Sequence, residues 1–125
     1  MTTPADTRSL IETAIARFLE EVPALKQLKL VAGLELRAHH DIQLYRVEMP
    51  GPKVTKEVAS DAKITLEVQR QAFNQLATKG HVADWRQAFI HGEAKATGVE
   101  QYLRLITQVV DKQEERARAR PARRH

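Results

Sequence analysis

The chain has 125 residues, 42% of them hydrophobic and 29% charged, with no cysteine and a formal net charge of +4. That length suits one domain that buries roughly two-thirds of its unfolded surface, so neither disulfides nor a metal are needed for folding. The lack of cysteine excludes a disulfide framework, a thiolate nucleophile, an Fe–S cluster and a thiolate zinc site, and no apolar run approaches the ~20 residues that span a bilayer.

The opening stretch Met1-Thr2-Thr3-Pro4-Ala5-Asp6 has neither the basic region nor the apolar run of a secretory signal, so a soluble cytoplasmic protein is expected. Leu10, Ile11, Ala14, Ile15, Phe18, Leu19 and Val22 then recur at helical spacing, which predicts an amphipathic helix over 10–22. Asp6 or Thr7 is placed to cap its start and Pro23 to close it. From Leu30 the period becomes two. Leu30, Ala32, Leu34 and Leu36 alternate with polar or small neighbours, the pattern of a strand with one buried face. His39-His40-Asp41 reads as a turn. A second strand runs from Ile42 to Met49, and its alternation slips between Leu44 and Tyr45, which predicts a bulge or cover on both faces. Pro50-Gly51-Pro52 is a turn, and Val54 to Val58 a short third strand. Ala62, Ile64, Leu66 and Val68 give the most regular alternation of all.

The helical period returns with Ala72, Phe73, Leu76 and Ala77, and Gly80 stops that helix. Val82, Trp85, Ala88 and Phe89 mark another, ending at Gly92. Glu93 to Thr97 is a short strand with Ala94 and Ala96 inward. Val99, Tyr102, Leu103, Ile106, Val109 and Val110 mark a final helix whose apolar positions stop by Lys112. The order α-β-β-β-β-α-α-β-α predicts an α+β fold: a mainly antiparallel five-stranded sheet covered by helices on one side. Residues 1–112 form the single domain, and 113–125 a basic, flexible C-terminal tail. The tail holds five arginines and two glutamates, while residues 1–112 are nearly balanced at fifteen basic against fourteen acidic.

Chemistry is poorly supported. His39, His40 and Asp41 are adjacent and point in different directions, so they form no site without partners from elsewhere. His81 and His91 lack the i, i+4 spacing of a helical metal pair, and no nucleophile elbow, dinucleotide or phosphate-loop motif occurs. Asp84 belongs to a first helical turn, where a carboxylate complements the dipole. No pair of carboxylates is set apart as acid and base. The residues predict a non-enzyme without cofactor or metal.

From Asp61 onward the residues resemble a known family. Asp61-Ala62-Lys63-Ile64-Thr65-Leu66-Glu67-Val68 is similar to a diagnostic strand of the sterol carrier protein 2 family. Ala72-Phe73-Asn74-Gln75-Leu76 resembles the helix after it, with Gly80 as its closing glycine. Asp84 to Gly92 resembles the next helix, and Glu93-Ala94-Lys95-Ala96-Thr97-Gly98 the glycine-bounded strand before the last one. The likeness spans roughly residues 7–112 and is sequence-specific only over 61–103. It departs at Gly98-Val99, where the family often has Gly-Asp, and at the inward alanines of that strand, which leave more room inside.

The resemblance implies an internal apolar tunnel that binds a sterol, fatty acid, acyl-CoA or isoprenoid without altering it. The expected lipid-binding lining is Leu34, Leu36, Tyr45, Val47, Leu66, Phe73, Trp85, Phe89, Leu103, Ile106 and Val110. Each of these residues also has a plainer reading as packed core. Tyr45 in particular either orients a ligand hydroxyl or places its own hydroxyl in solvent. The tail, Arg116 to Arg124, is either a solvated end or a transient contact with an anionic membrane surface. Nucleic acid is disfavoured because no aromatic residues interleave with the arginines. The chain ends Arg-Arg-His and so lacks a peroxisomal address. The alternative function is a filled-core interaction module that forms a homodimer or partners an enzyme acting on hydrophobic substrates.

Overall fold

A computed structural model describes residues 4–122. The elements are α1 (Pro4–Glu21), a 3-10 turn (Pro23–Gln27), β1 (Leu30–Ala38), β2 (Asp41–Met49), β3 (Lys53–Thr55), β4 (Ile64–Gln69), α2 (Arg70–Lys79), α3 (Val82–Ile90), β5 (Ala94–Gly98) and α4 (Glu100–Ala122). The expected order is present, as an α+β fold.

The five strands form one sheet in the order β3-β2-β1-β4-β5. Three of its four pairings are antiparallel, but the central β1–β4 pairing is parallel, so the sheet is mixed. The cause is the connection from β3, which sits at one edge, to β4, which lies beyond β2 and β1. That crossover returns the chain in β1's direction. It passes over the outer face, where Ala59 lies near Gly33. Arg46 holds it there through a two-pronged bond to Asp61, Nε–Oδ1 3.0 Å and Nη2–Oδ2 2.7 Å. The hydrogen-bonded carboxylate raises the Arg46 guanidinium further, and the guanidinium holds Asp61 below the usual carboxylate range.

The two sheet faces differ as the alternation requires. Leu34, Leu36, Tyr45, Val47, Val54, Val68 and Ala94 are buried toward the helices. The other face carries charge: Arg37 contacts Glu35 and Glu67, and Arg46 contacts Glu48 as well as Asp61. The helices therefore cover one side. The main core joins Ile11 and Ala14 of α1, Phe73, Leu76 and Ala77 of α2 and Ala88 of α3 to that inner face. Fully burying side chains the size of Ile11, Phe73 or Leu76 contributes about 1.5–3 kcal/mol each. Arg17 donates to the Ala77 carbonyl at 3.0 Å and ties α1 to α2.

Several local expectations are corrected. The first helix begins at Pro4, where a proline is tolerated because the first-turn N–H groups have no helical partner. Thr7 therefore lies inside it, buried, while the side chain of Asp6 lies outside the described residues. Pro23 opens a 3-10 turn, which buries Leu25. No bulge interrupts β2: its pairing with β1 is continuous from Leu30↔Met49 to Ala38↔Asp41. Strand β3 stops at Thr55, and Val58 is exposed in the crossover. Gly80 does end α2, but in extended backbone, its N–H bonded to the Leu76 carbonyl at 2.7 Å. Ala96 faces inward by register yet is exposed. The last helix runs past Lys112 to Ala122, so residues 113–122 of the expected tail are helical.

Candidate functional site

Helix α3 is anchored on one flank and open on the other. Trp85 stands edge-on to Phe18 of α1 and to Phe73 of α2, with ring centroids 6.3 and 6.1 Å apart. Such pairs add about 0.5–1.5 kcal/mol beyond their buried area. At the helix start, Asp84 accepts the His81 N–H at 2.8 Å, and Glu21 of α1 accepts the Val82 N–H at 2.9 Å while its other oxygen meets His81 Nδ1 at 2.6 Å. Two otherwise orphaned backbone donors are thus satisfied by carboxylates at the positive end of the helix. Val82, Arg86 and Phe89, spaced four and three apart, form a stripe along the flank that faces α4. Val82 packs in a cluster with Ile106, Val109 and Val110. Arg86 donates from Nε to Glu114 Oε1 at 2.7 Å and also pairs with Asp111. Glu114 first, and Asp111 after it, raise the guanidinium above its already high ordinary value.

Helix α4 answers with Leu103, Val110 and Glu114 on its matching flank, in line with Val99 just before it. It leaves β5 at Gly98, whose φ of +131° is glycine territory. A Cβ there would lie 2.4 Å from the Lys63 carbonyl oxygen. The Val99 N–H bonds that same oxygen at 2.8 Å. The start of α4 is therefore fixed tightly, and the Arg86 fork holds its middle. Between these two points packing is incomplete. Tyr102, Leu103, Ile106, Val109 and Val110 are all only half-buried, and Val99 is 40% exposed. On the α3 side Phe89 is likewise 40% exposed.

The sheet beneath this gap is uncovered at the same place. Leu66 of β4 pairs with Leu34 on one side and Ala96 on the other, so all three face the helices. Leu34 is buried, Leu66 half-buried and Ala96 exposed, although Ile64 and Val68 on either side of Leu66 are buried. Leu66 and Ala96 on the sheet, Phe89 on α3 and Leu103 on α4 are thus incompletely covered apolar side chains, and Arg86 bridges the two helices through Asp111 and Glu114. The buried residues form three clusters joined by half-buried side chains such as Ile15, Met49 and Ile106.

The expected lining residues divide accordingly. Leu34, Leu36, Tyr45, Val47 and Phe73 lie in the main core, with Leu66 and Trp85 packed against it. Leu103 and Ile106 pack on the small cluster of Leu30, Ala32 and Ile64, and Val110 on the cluster of Val82. Phe89 is at the surface. The Tyr45 hydroxyl has an internal partner, Gln43 Oε1 at 3.3 Å, on a side chain 1% exposed. Of the expected lining residues, Leu66, Trp85, Leu103 and Ile106 are half-buried and Phe89 is exposed. Arg86, Asp111 and Glu114 were not anticipated from sequence. The i, i+3 spacing of Asp111 and Glu114, on a helix otherwise apolar on that side, was the available signal.

A concavity of about 400 Å3 lies between α2 and α3, where Gln75, Asp84, Gln87 and Glu93 surround Leu76 and Ala88. It is open to solvent and its rim is polar, so it lacks the desolvated walls an apolar ligand needs. His39 and His40 stack at 4.2 Å on the exposed β1–β2 turn. Among the described residues, no group of three or more His, Asp or Glu side chains is placed to hold a metal ion, and no helix is long and apolar enough to cross a membrane.

No protein-family model matches the chain, and no curated protein sequence does. Solved structures do. The palmitated form of SCP2L2 from Aedes aegypti matches with a TM-score of 0.56 at 18% identity, covering 80% of this chain and 93% of that one. The sterol carrier protein domain 2 of Helicoverpa armigera matches at 0.60 and 14% identity, covering 89% and 91%. UbiJ-SCP2, a ubiquinone synthesis protein, matches at 0.53 and 21% identity, covering 91% and 96%. The chain has the sterol carrier protein 2 fold.

Proposed function

We propose that residues 1–112 form a cytoplasmic carrier domain that binds one apolar lipid (a sterol, fatty acid, acyl-CoA or isoprenoid) in a cleft between α3, α4 and the sheet, and releases it chemically unchanged. The observation that carries this reading is the coincidence of three packing deficits. The apolar inner face of α4 is half-buried, the inward-facing Ala96 is exposed, and its strand partner Leu66 is half-buried. An empty apolar cavity costs stability in proportion to its volume, about 24 cal/mol per Å3. A ligand restores the missing contacts and contributes about 0.8 kcal/mol for each methylene it buries. The expected lining residues that lie in the main core, Leu34, Leu36, Tyr45, Val47 and Phe73, form the wall behind the ligand. Those around the cleft touch it. The mosquito neighbour, described in its palmitated form, supports a long-chain ligand on this fold.

The carrier reading is tested by native mass spectrometry of the freshly purified chain, followed by organic extraction. A lipid near one per chain, exchangeable for a fluorescent fatty acid, is the expected result. One observation favours the interaction-module reading instead: Phe89, Ile90, Val99 and Leu105 are exposed within one short stretch of sequence. A chain that is empty, refuses the fluorescent fatty acid and runs as a dimer would establish that reading.

A further inference from the structure

Helix α4 has a third face that the cleft does not use. At about 100° per residue, Leu105, Lys112 and Arg116 fall within about 40° of one another, whereas Glu100, Asp111 and Glu114 lie about 100° or more from any of the three and Glu115 about 60° from Lys112. Three of these acids are also already engaged: Asp111 and Glu114 meet Arg86, and Glu100 pairs with Arg104 at 2.6 Å; Glu115 is exposed and has no ion pair among the described residues. Lys112 and Arg116 have no ion pair among the described residues and are exposed, as is Leu105 at 42%. Half-buried Tyr102 and Val109 border the stripe on its inner side. From Glu115 to Arg118 every side chain is exposed, including Ala117, which by periodicity should face inward. The helix has left the body of the domain there and can lie along a flat surface without the domain intervening.

We propose that this outer stripe of α4, Leu105 with Lys112 and Arg116, is the surface by which the chain docks on an anionic lipid bilayer. The inference rests on the carrier reading, for which contact with a donor or acceptor membrane is a required step. An exposed leucine in line with unpaired basic residues, and no acid among them, is the pattern of a helix lying in a bilayer interface. A nucleic-acid groove would call for stacking aromatics beside the basic residues, and this stripe offers a leucine. Two basic residues and one partly inserted leucine give weak, reversible attachment, as a shuttling carrier needs. The side chains of Arg120, Arg123 and Arg124 lie outside the described residues.

The test uses the full chain and vesicles of phosphatidylcholine with about 30% phosphatidylserine, compared with phosphatidylcholine alone, at low salt. The chain is expected to co-sediment with the anionic vesicles only. Each basic residue near such a surface contributes about 1 kcal/mol, or roughly fivefold in partitioning. Lys112→Gln with Arg116→Gln therefore weakens it about 25-fold, Leu105→Gln about fivefold, and Arg118→Gln on the opposite flank less than about twofold. Uptake of a fluorescent fatty acid without vesicles, measured on the same variants, stays unchanged. Equal binding to neutral vesicles, or an equal loss in Arg118→Gln and the double variant, overturns the docking stripe. Retention on an RNA homopolymer through the same two residues, without vesicle binding, also overturns it and makes the stripe a nucleic-acid surface. Vesicle binding that follows the stripe in a chain unable to take up fatty acid upholds the docking surface and sinks the carrier reading alone.

Discussion

Filling the floor of the cleft is the sharpest way to separate a ligand site from imperfect packing. Ala96 faces the helices opposite Leu66, is exposed, and sits on the edge strand β5. Ala96→Leu adds three carbons to open space. A bound chain that loses the equivalent of about three buried methylenes loses about 2.4 kcal/mol, at about 0.8 kcal/mol each, or roughly 50-fold in affinity. The fold itself should be indifferent, because substitutions at uncrowded exposed positions usually stay within about 0.5 kcal/mol. Lys95→Leu on the opposite, charged face of the same strand is the control and should leave affinity unchanged. Fluorescent fatty acid titration gives the affinity, and urea unfolding of each variant shows that it is folded. A stable Ala96→Leu chain that binds fatty acid as tightly as the parent would refute the placement of the ligand over Leu66 and Ala96. A variant destabilised by several kcal/mol would show instead that the gap is already closed by neighbouring side chains.

Three further perturbations probe the supports of the cleft. Gly98→Ala forces a side chain into positive-φ backbone and against the Lys63 carbonyl, so the urea midpoint should fall by the equivalent of about 2 kcal/mol or more; an unchanged midpoint would mean α4 does not depend on this exit angle. Arg86→Ala removes a part-exposed fork worth about 1 kcal/mol. Hydrogen exchange should quicken in α4 between residues 106 and 114 and fatty acid should enter faster, whereas equal exchange would show that the fork restrains nothing. Asp61 is held below its ordinary pKa chiefly by its hydrogen bonds from Arg46. Its contribution is thus fully present above the unfolded carboxyl value of about 4 and is lost as pH falls through the lower folded value. Urea midpoints of the parent and Asp61→Asn should converge on acidification below about pH 4, and a difference independent of pH would contradict the pairing.

The parts of the structure legible in the sequence are those where one face is fully buried. Ala72, Phe73, Leu76 and Ala77 gave a helix because every one of them is buried, the last three in the main core. Leu30, Ala32, Leu34 and Leu36 gave a strand because all four are buried on one face, the first two in the small cluster with Ile64 and the last two in the main core. The parallel β1–β4 pairing was not legible, since alternation reports which face is buried and is silent on the neighbour's direction. Ala96 shows a different limit: its inward register was readable from Ala94, but its exposure depends on how far α3 and α4 diverge above it. The 3-10 turn after Pro23 was hidden because a proline that ends one helix also suits the first turn of another. Of the proposed cleft, the apolar walls Leu66, Phe89 and Leu103 were visible as stripes, but the bridge through Arg86 was not. Two charges far apart in sequence carry no periodic signal until both helices are in place.

The packing deficits around α4 are better understood as a division of labour than as weak folding. Helices α1 and α2 bury Ile11, Ala14, Phe73 and Ala77 against the sheet, in the largest of the three buried clusters. Helix α4 could have done the same, since its inner stripe is as apolar, but each of its faces meets a different environment. Its acids meet Arg86, its inner stripe is half-buried, and its outer stripe presents Leu105, Lys112 and Arg116 to the surroundings. A helix that packed its inner stripe fully would cover Leu66 and leave no room for the proposed ligand. Fixing α4 by Gly98 at one point and by a solvent-accessible ion fork at another is a different solution. Both restraints are local, and the fork is of a kind that salt and competing charge weaken. The stretch between them can therefore adjust to a guest while the α1–α2 half keeps the sheet in register.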